Sequence, residues 1–308
     1  MRLITFRSAA GDRLGVLLKN DRILDLQKAR LIHASSGEGT PPSIFDSLTS
    51  LIEAGETGVA AARQLADMAE VGELPDATGE LSEALLLAPI PKPRKNVFCV
   101  GRNYVEHVNE GYRARGVETK LPEFPQFFTK PQTTIIGAGA PIPLHADVTE
   151  KLDYEVELGV IIGQRGTNIT EAAALDHIFG FTIINDITAR DLQRRHDQWF
   201  KGKALDGSCP IGPWVVLREK ISNPQSLDIT LRVNGEVRQQ SNTARMIFSI
   251  ARLISELSQG LTLEPGDIIA TGTPSGVGYA MDPPNFLKAG DVVSCEIEGI
   301  GTLENRVN

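Results

Sequence analysis

Along Leu152–Gly163, the residues Tyr154, Val156, Leu158, Val160 and Ile162 alternate with the others. That period of two predicts a β-strand with successive side chains on opposite faces. Glu155 and Glu157 then project two residues apart from one face, aimed at one point. Strands are also predicted at Arg2–Phe6, Leu85–Leu87, Gln126–Lys130 and Gly180–Asp186, with a buried one at the apolar run Asn96–Val100. Hairpins are expected where Arg13–Leu18 meets Arg22–Leu26, where Leu227–Val233 meets Glu236–Gln239 across Asn234-Gly235, and where Asp291–Ile297 meets Gly301–Val307. Asn-Gly is the strongest two-residue turn signal among them. Helical spacing runs over Ser43–Ala54, Gly58–Glu70, Glu171–Ile178 with Thr170 as cap, Ile187–Arg195 and Arg245–Ser258.

Pro89, Pro91 and Pro93 alternate with Lys92, Arg94 and Lys95 in a stiff connector that cannot be helix. A domain boundary is expected there, with a small N-terminal α+β domain over 1–90 and a larger domain over 91–308. The larger part has many strands, several hairpins and few helices. That pattern predicts a β-rich α+β fold more than an alternating parallel sheet.

The 308 residues suffice for a substantial core, and 41% hydrophobic with 23% charged residues is ordinary for a globular protein. A formal net charge of −8 argues against nucleic acid or an anionic membrane as partner. Cys99, Cys209 and Cys295 form no C-x-x-C pair, so neither a disulfide framework nor a zinc site is suggested, and the cytoplasm is the expected location. The N-terminus breaks into charge before an apolar core of signal-peptide length, and no stretch approaches membrane-spanning length.

Side by side, Glu155 and Glu157 repel unless a cation neutralises them, and all-oxygen ligands suit Mg²⁺, Mn²⁺ or Ca²⁺. The alternative is a solvated polar strand edge. Asp186 ends a buried strand and is the expected third ligand; capping the following helix is its other reading. His107 and Glu110, three apart on a short helix, make a general-base pair or a plain surface pair. Lys203 brings a cation to an anionic substrate, or is solvated. The unpatterned segment Tyr112–Pro125, directly after this pair, reads as a mobile loop, placed where a lid could order over substrate. The Gly-rich turn at Thr271–Gly278 exposes amides that can hold a carboxylate, but it lacks the lysine and spacing of a P-loop.

Five motifs occur in order: Gly101-Arg102-Asn103-Tyr104-x-x-His107, Asp153-Tyr154-Glu155-x-Glu157, Asn185-Asp186-x-x-Ala189-Arg190-Asp191-x-Gln193, Gly202-Lys203-x-x-Asp206 and Thr271-Gly272-Thr273-Pro274-x-Gly276-Val277-Gly278. Together they resemble the fumarylacetoacetate hydrolase family, most closely its acylpyruvase and oxaloacetate decarboxylase branch. The resemblance implies a mixed β-sandwich roll with a smaller N-terminal domain, usually a homodimer. It also implies Mg²⁺ or Mn²⁺ at Glu155, Glu157 and Asp186. By the same matching, His107, Glu110 and Lys203 are expected to be catalytic, and Arg102, Tyr104, Arg190, Gln193, Gly272 and Thr273 to bind substrate. One departure is visible: no aspartate stands just before the histidine, in Val100-Gly101-Arg102-Asn103.

The implied activity is metal-dependent C–C hydrolysis of acylpyruvates such as fumarylpyruvate or acetylpyruvate to pyruvate and a carboxylic acid. The alternatives are oxaloacetate decarboxylation, or isomerisation or hydration of 2-hydroxydienoic dicarboxylic acids. All act on a small 2-oxo acid. A non-catalytic binding protein would have lost some of these residues, yet all are present.

Overall fold

The computed structural model describes residues 1–34, 42–114 and 116–308, so Arg115 of the expected lid lies outside the described residues. The fold is strand-rich α+β and centred on a twelve-stranded sheet. Its main path runs Thr78–Glu80, Arg22–Asp25, Gly11–Leu17, Arg2–Ser8, Cys209–Leu217, Ile178–Asn185, Val156–Ile162, Ile268–Ala270, Val97–Gly101, Gln126–Lys130. A second sheet of four strands combines Asp228–Val233, Glu236–Asn242, Val292–Ile297 and Gly301–Arg306. Among the described residues no helix is long and apolar enough to cross a membrane.

The central strand shows why its alternation does not separate core from water. Every residue of Val156–Ile162 is buried, because the sheet is covered on both faces. Leu158, Val160 and Ile162 pack in one core with Ile229, Leu231 and Leu303 of the four-stranded sheet and with Leu253 and Ile254 of the helix Ile250–Leu257. Ile161 and Ile184 belong to another core with Leu48, Leu51 and Leu65 of the N-terminal helices. The N-terminal strands enter the same sheet, since Arg2 and Leu3 pair with Val216 and Val215.

Several expected elements differ in extent. The Leu152–Gly163 strand is interrupted at Tyr154 and Glu155: Leu152–Asp153 pairs with Thr188–Ala189, whereas Val156 begins the pairing with Ile178–Asn185. Side-chain acceptors replace the ladder at the break, Asp153 Oδ1 taking the Tyr154 amide and Asn185 Oδ1 the Glu155 amide. The Arg245–Ser258 helix begins only at Ile250, capped by Ser249. Arg245 ends a separate 3-10 turn, Thr243–Arg245, and Asn103 ties down the link to the helix, binding the Ile247 amide with its carbonyl and the Phe248 amide with its side chain. Helix in the Ile187–Arg195 stretch starts at Arg190, because Thr188 and Ala189 are in the short strand pair. Thr170 precedes the helix Glu171–Ala174 but gives no side-chain cap, and a tighter turn, Leu175–His177, follows. The helix Val105–Arg113 absorbs Tyr112 and Arg113, and residues 117–125 carry neither helix nor strand.

Candidate active site

The break before Val156 aims the carboxylates. Glu155, Glu157 and Asp186 each offer one oxygen within 4.8 Å of the others, and all three are buried. Glu157 lies in the strand Val156–Ile162, Glu155 at the break just before it, and Asp186 just past the end of the neighbouring strand, where its amide donates to the Glu155 carbonyl at 2.8 Å. Lys203, the last residue of the helix Phe200–Lys203, places Nζ 2.6 Å from both Glu155 Oε2 and Asp186 Oδ2. Lys130 Nζ lies 2.8 Å from Asp186 Oδ1, outside hydrogen-bond alignment, so that buried oxygen accepts no hydrogen bond.

Electrostatics separates the acids. Burial alone would push the Glu155 carboxyl up, but the Lys203 ammonium and Arg190 guanidinium outweigh it and hold the group well below the usual range. Glu157 goes the other way, raised by burial and then by the negative charges of Asp186 and Glu155. Lys203 is itself held charged: burial lowers its pKa, and Asp186 and Glu155 more than reverse that. Three clustered carboxylates, one kept from easy ionisation by the others and one with a bare oxygen, fit a hard divalent cation.

Glu157 Oε2 receives the Gly272 amide at 2.8 Å. Gly272 has φ +98°, and a Cβ there would meet Asn103 Cβ at 2.7 Å, so the turn that presents this amide requires glycine. Across the site, His107 Nδ1 lies 2.9 Å from Glu110 Oε1, and Glu110 Oε2 accepts the Gly276 amide at 2.9 Å. The imidazole is thereby left with Nε2 for exchange.

A cavity of about 290 Å³ joins these parts. Of the expected residues, His107, Glu155, Glu157, Lys203, Arg102, Arg190, Gln193 and Thr273 line it. Asp186 completes the acidic triad, while Glu110 and Gly272 stand behind His107 and Glu157. Tyr104 is not among the lining: it is fully buried, with no partner for its hydroxyl among the described residues.

Arg190 is tightly held, its Nε 2.8 Å from Asp153 Oδ2 and Nη1 3.2 Å from Gln193 Oε1, with the guanidinium 4.5 Å over the Tyr279 ring. Arg102, at φ +58°, lies over Trp199 at 5.3 Å and Tyr112 at 5.7 Å. Thr273 is fixed by Gln239, which donates to its Oγ1 at 2.8 Å and accepts the Val156 amide.

Lys130, Asp153, Trp199, Gln239 and Tyr279 were not singled out by pattern. Only two carry a signal: Lys130 closes an expected strand beside two phenylalanines, and Asp153 opens the acidic motif.

A sequence profile for the Fumarylacetoacetate (FAA) hydrolase C-terminal family matches residues 96–308. The chain is 48% identical over 298 residues to oxaloacetate tautomerase YisK of Bacillus subtilis (strain 168), across 96% of this chain and 95% of that one. Among solved structures, fumarylacetoacetate hydrolase from psychrophilic Exiguobacterium antarcticum aligns with a TM-score of 0.79 at 39% identity, covering 100% of this chain and 99% of that one. Maleylpyruvate hydrolase from Sphingobium sp. SYK-6, solved with manganese (II) ion and pyruvate, aligns with a TM-score of 0.73 at 29% identity, covering 100% and 98%.

Proposed function

The chain belongs to the fumarylacetoacetate hydrolase family, and from that premise we propose that it is a Mg²⁺- or Mn²⁺-dependent enzyme interconverting the enol and keto forms of oxaloacetate. The observation that carries this reading is that the His107–Glu110 pair and the acidic triad serve one cavity. A group able to move a proton thus faces a site able to anchor a 2-oxo acid. The relation to the Bacillus subtilis tautomerase gives the reading its substrate.

Glu155, Glu157 and Asp186 would hold the ion, which supplies Lewis-acid polarisation of the substrate's 2-oxo group. Arg190, hydrogen-bonded to Asp153 and stacked on Tyr279, orients a substrate carboxylate. Nε2 of His107 takes a proton from C3, and the imidazolium so formed returns that proton to the 2-oxygen. A C–H bond breaks and an O–H bond forms, with no change of oxidation state. Glu110 holds the imidazole in the tautomer that accepts at Nε2 and stabilises the imidazolium that results. The charged Lys203 faces the negative charge that grows on the substrate.

A second reading is hydrolysis of an acylpyruvate, favoured by the likeness to a maleylpyruvate hydrolase that holds manganese and pyruvate. There His107 would take its proton from water instead of carbon. Decay of the enol absorbance of oxaloacetate separates these readings when followed beside pyruvate release from oxaloacetate, acetylpyruvate and fumarylpyruvate, each with and without Mn²⁺. Mn²⁺-dependent enol decay without pyruvate is the expected result. Pyruvate from an acylpyruvate at a higher rate would establish the hydrolase, and pyruvate from oxaloacetate the decarboxylase.

A further inference from the structure

Lys130 has no part in the reaction just described, yet it is fully buried, ending the strand Gln126–Lys130 directly against the acidic triad. A buried ammonium is strongly unfavourable unless its three donors find partners. Here Nζ donates to the Ile187 carbonyl at 3.0 Å and to the Lys203 carbonyl at 2.5 Å, and its charge lies 2.8 Å from Asp186 Oδ1. These partners come from two segments that are separate in sequence. Asp186 and Ile187 form the turn that delivers one acid of the triad; Lys203 ends the helix that delivers the ammonium spanning Glu155 and Asp186. The Lys130 side chain touches both segments at once.

We propose that Lys130 is a positioning residue for the divalent cation: it locks Asp186 and the backbone of Lys203 into one arrangement, so that the triad is assembled before the ion arrives. The proposal rests on the metal-binding half of the function above and on none of its chemistry.

Charge and positioning predict opposite signs. If Lys130 acted only through its charge, removing it would relieve repulsion on an incoming cation and tighten Mn²⁺ binding. If it acts by holding Asp186 and Lys203 in place, removing it loosens binding, by about tenfold or more on the scale of outer-shell ligand supports. The experiment measures Mn²⁺ affinity of the full chain by electron paramagnetic resonance of the free ion, for wild type, Lys130→Met and Lys130→Gln, with far-UV circular dichroism as the check on folding. Gln keeps an N–H₂ donor for the carbonyls and is the variant to rely on if Met does not fold.

The expected result is native circular dichroism with Mn²⁺ bound about tenfold more weakly by Met and by a smaller factor by Gln. Unchanged or tighter binding by the folded variants overturns the proposal. Failure of both to fold overturns it too, since Lys130 would then be needed by the fold and not by the site. Absence of Mn²⁺ binding in the wild type itself would instead remove the metal assignment, and this proposal with it.

Discussion

Glu110 bridges His107 and the Gly-rich turn: its Oε1 lies 2.9 Å from His107 Nδ1 and its Oε2 accepts the Gly276 amide at 2.9 Å. A carboxylate anchored at both oxygens can impose one ring orientation and one tautomer on its partner. Glu110→Gln preserves size but removes the charge that stabilises the imidazolium. Loss of kcat by about 10²-fold or more is expected, the range of general acid–base catalysis, with Mn²⁺ affinity and circular dichroism unchanged. Steady-state kinetics beside a Mn²⁺ titration checks this, and an unaltered kcat would remove the pair from the chemistry.

Glu157 makes a prediction about pH. Its pKa is raised by burial and by Asp186 and Glu155, so the folded metal-free protein binds this proton more tightly than the unfolded chain. Such a group loses stability for the fold as pH rises above the unfolded carboxylate pKa toward the raised folded one. Glu157→Gln removes that loss. The metal-free variant should therefore melt above wild type, by a margin that widens as pH rises above the ordinary carboxylate range. The rise in Tm that saturating Mn²⁺ gives wild type through mass action should shrink or vanish. Differential scanning fluorimetry with and without Mn²⁺ tests both halves; a variant that melts lower at high pH and keeps the full Mn²⁺ response would contradict them.

Arg190 shows what a fork supplies and a point charge does not. Its Nε, Nη1 and Nη2 lie 2.8, 3.2 and 2.7 Å from Asp153, Gln193 and Glu155, respectively. Lysine cannot span these directions. In Arg190→Lys the charge survives but Asp153 or Gln193 loses its donor, a loss of about 1–3 kcal/mol for a buried group left unpaired. Urea unfolding should show that drop, and KM should rise more than kcat falls; full stability would mean that Asp153 finds enough partners in the Gly278 and Tyr279 amides.

The residues that were legible in advance share one property: their signal is local. The alternation marks the strand Val156–Ile162 and brings Glu155, at the break before it, close to Glu157, and three-residue spacing joins His107 to Glu110. Asp186 stood out because an acid closed an apolar run. What stayed hidden depends on contacts between distant segments. The strand Cys209–Leu217 joins the N-terminal strands to the rest of the sheet, yet Pro210 and Pro213 argue against a central strand in isolation. Its burial in the sheet overrides that preference. Asp153 takes amides from Gly278 and Tyr279, more than 120 positions away, and Lys130 meets its partners only after the strand ends are stacked. No spacing rule reaches across such separations.

Gly101 is held to glycine by a neighbour and not by its backbone. A Cβ built there would lie 2.2 Å from Trp199 Cζ3 and 2.8 Å from Cη2, so the ring occupies the space an alanine methyl needs. That ring carries Arg102 at 5.3 Å and meets Phe128 edge-on at 5.8 Å. Gly101→Ala should push Trp199 off Arg102, and a stacked cation of this kind contributes about 0.5–1 kcal/mol at a partly exposed site. If Arg102 helps to attract an anionic substrate, KM should rise by about threefold, the equivalent of that energy. The three atoms nearest the new methyl all belong to Trp199, so kcat should change little. The chain has two tryptophans, Trp199 and Trp214; in a Trp214→Phe background, emission reports Trp199 alone. A red shift on introducing alanine, together with the KM change, is the expected pair of results. An unmoved spectrum with an unmoved KM would show that the ring does not sit against Gly101 in solution and that Arg102 does not depend on it.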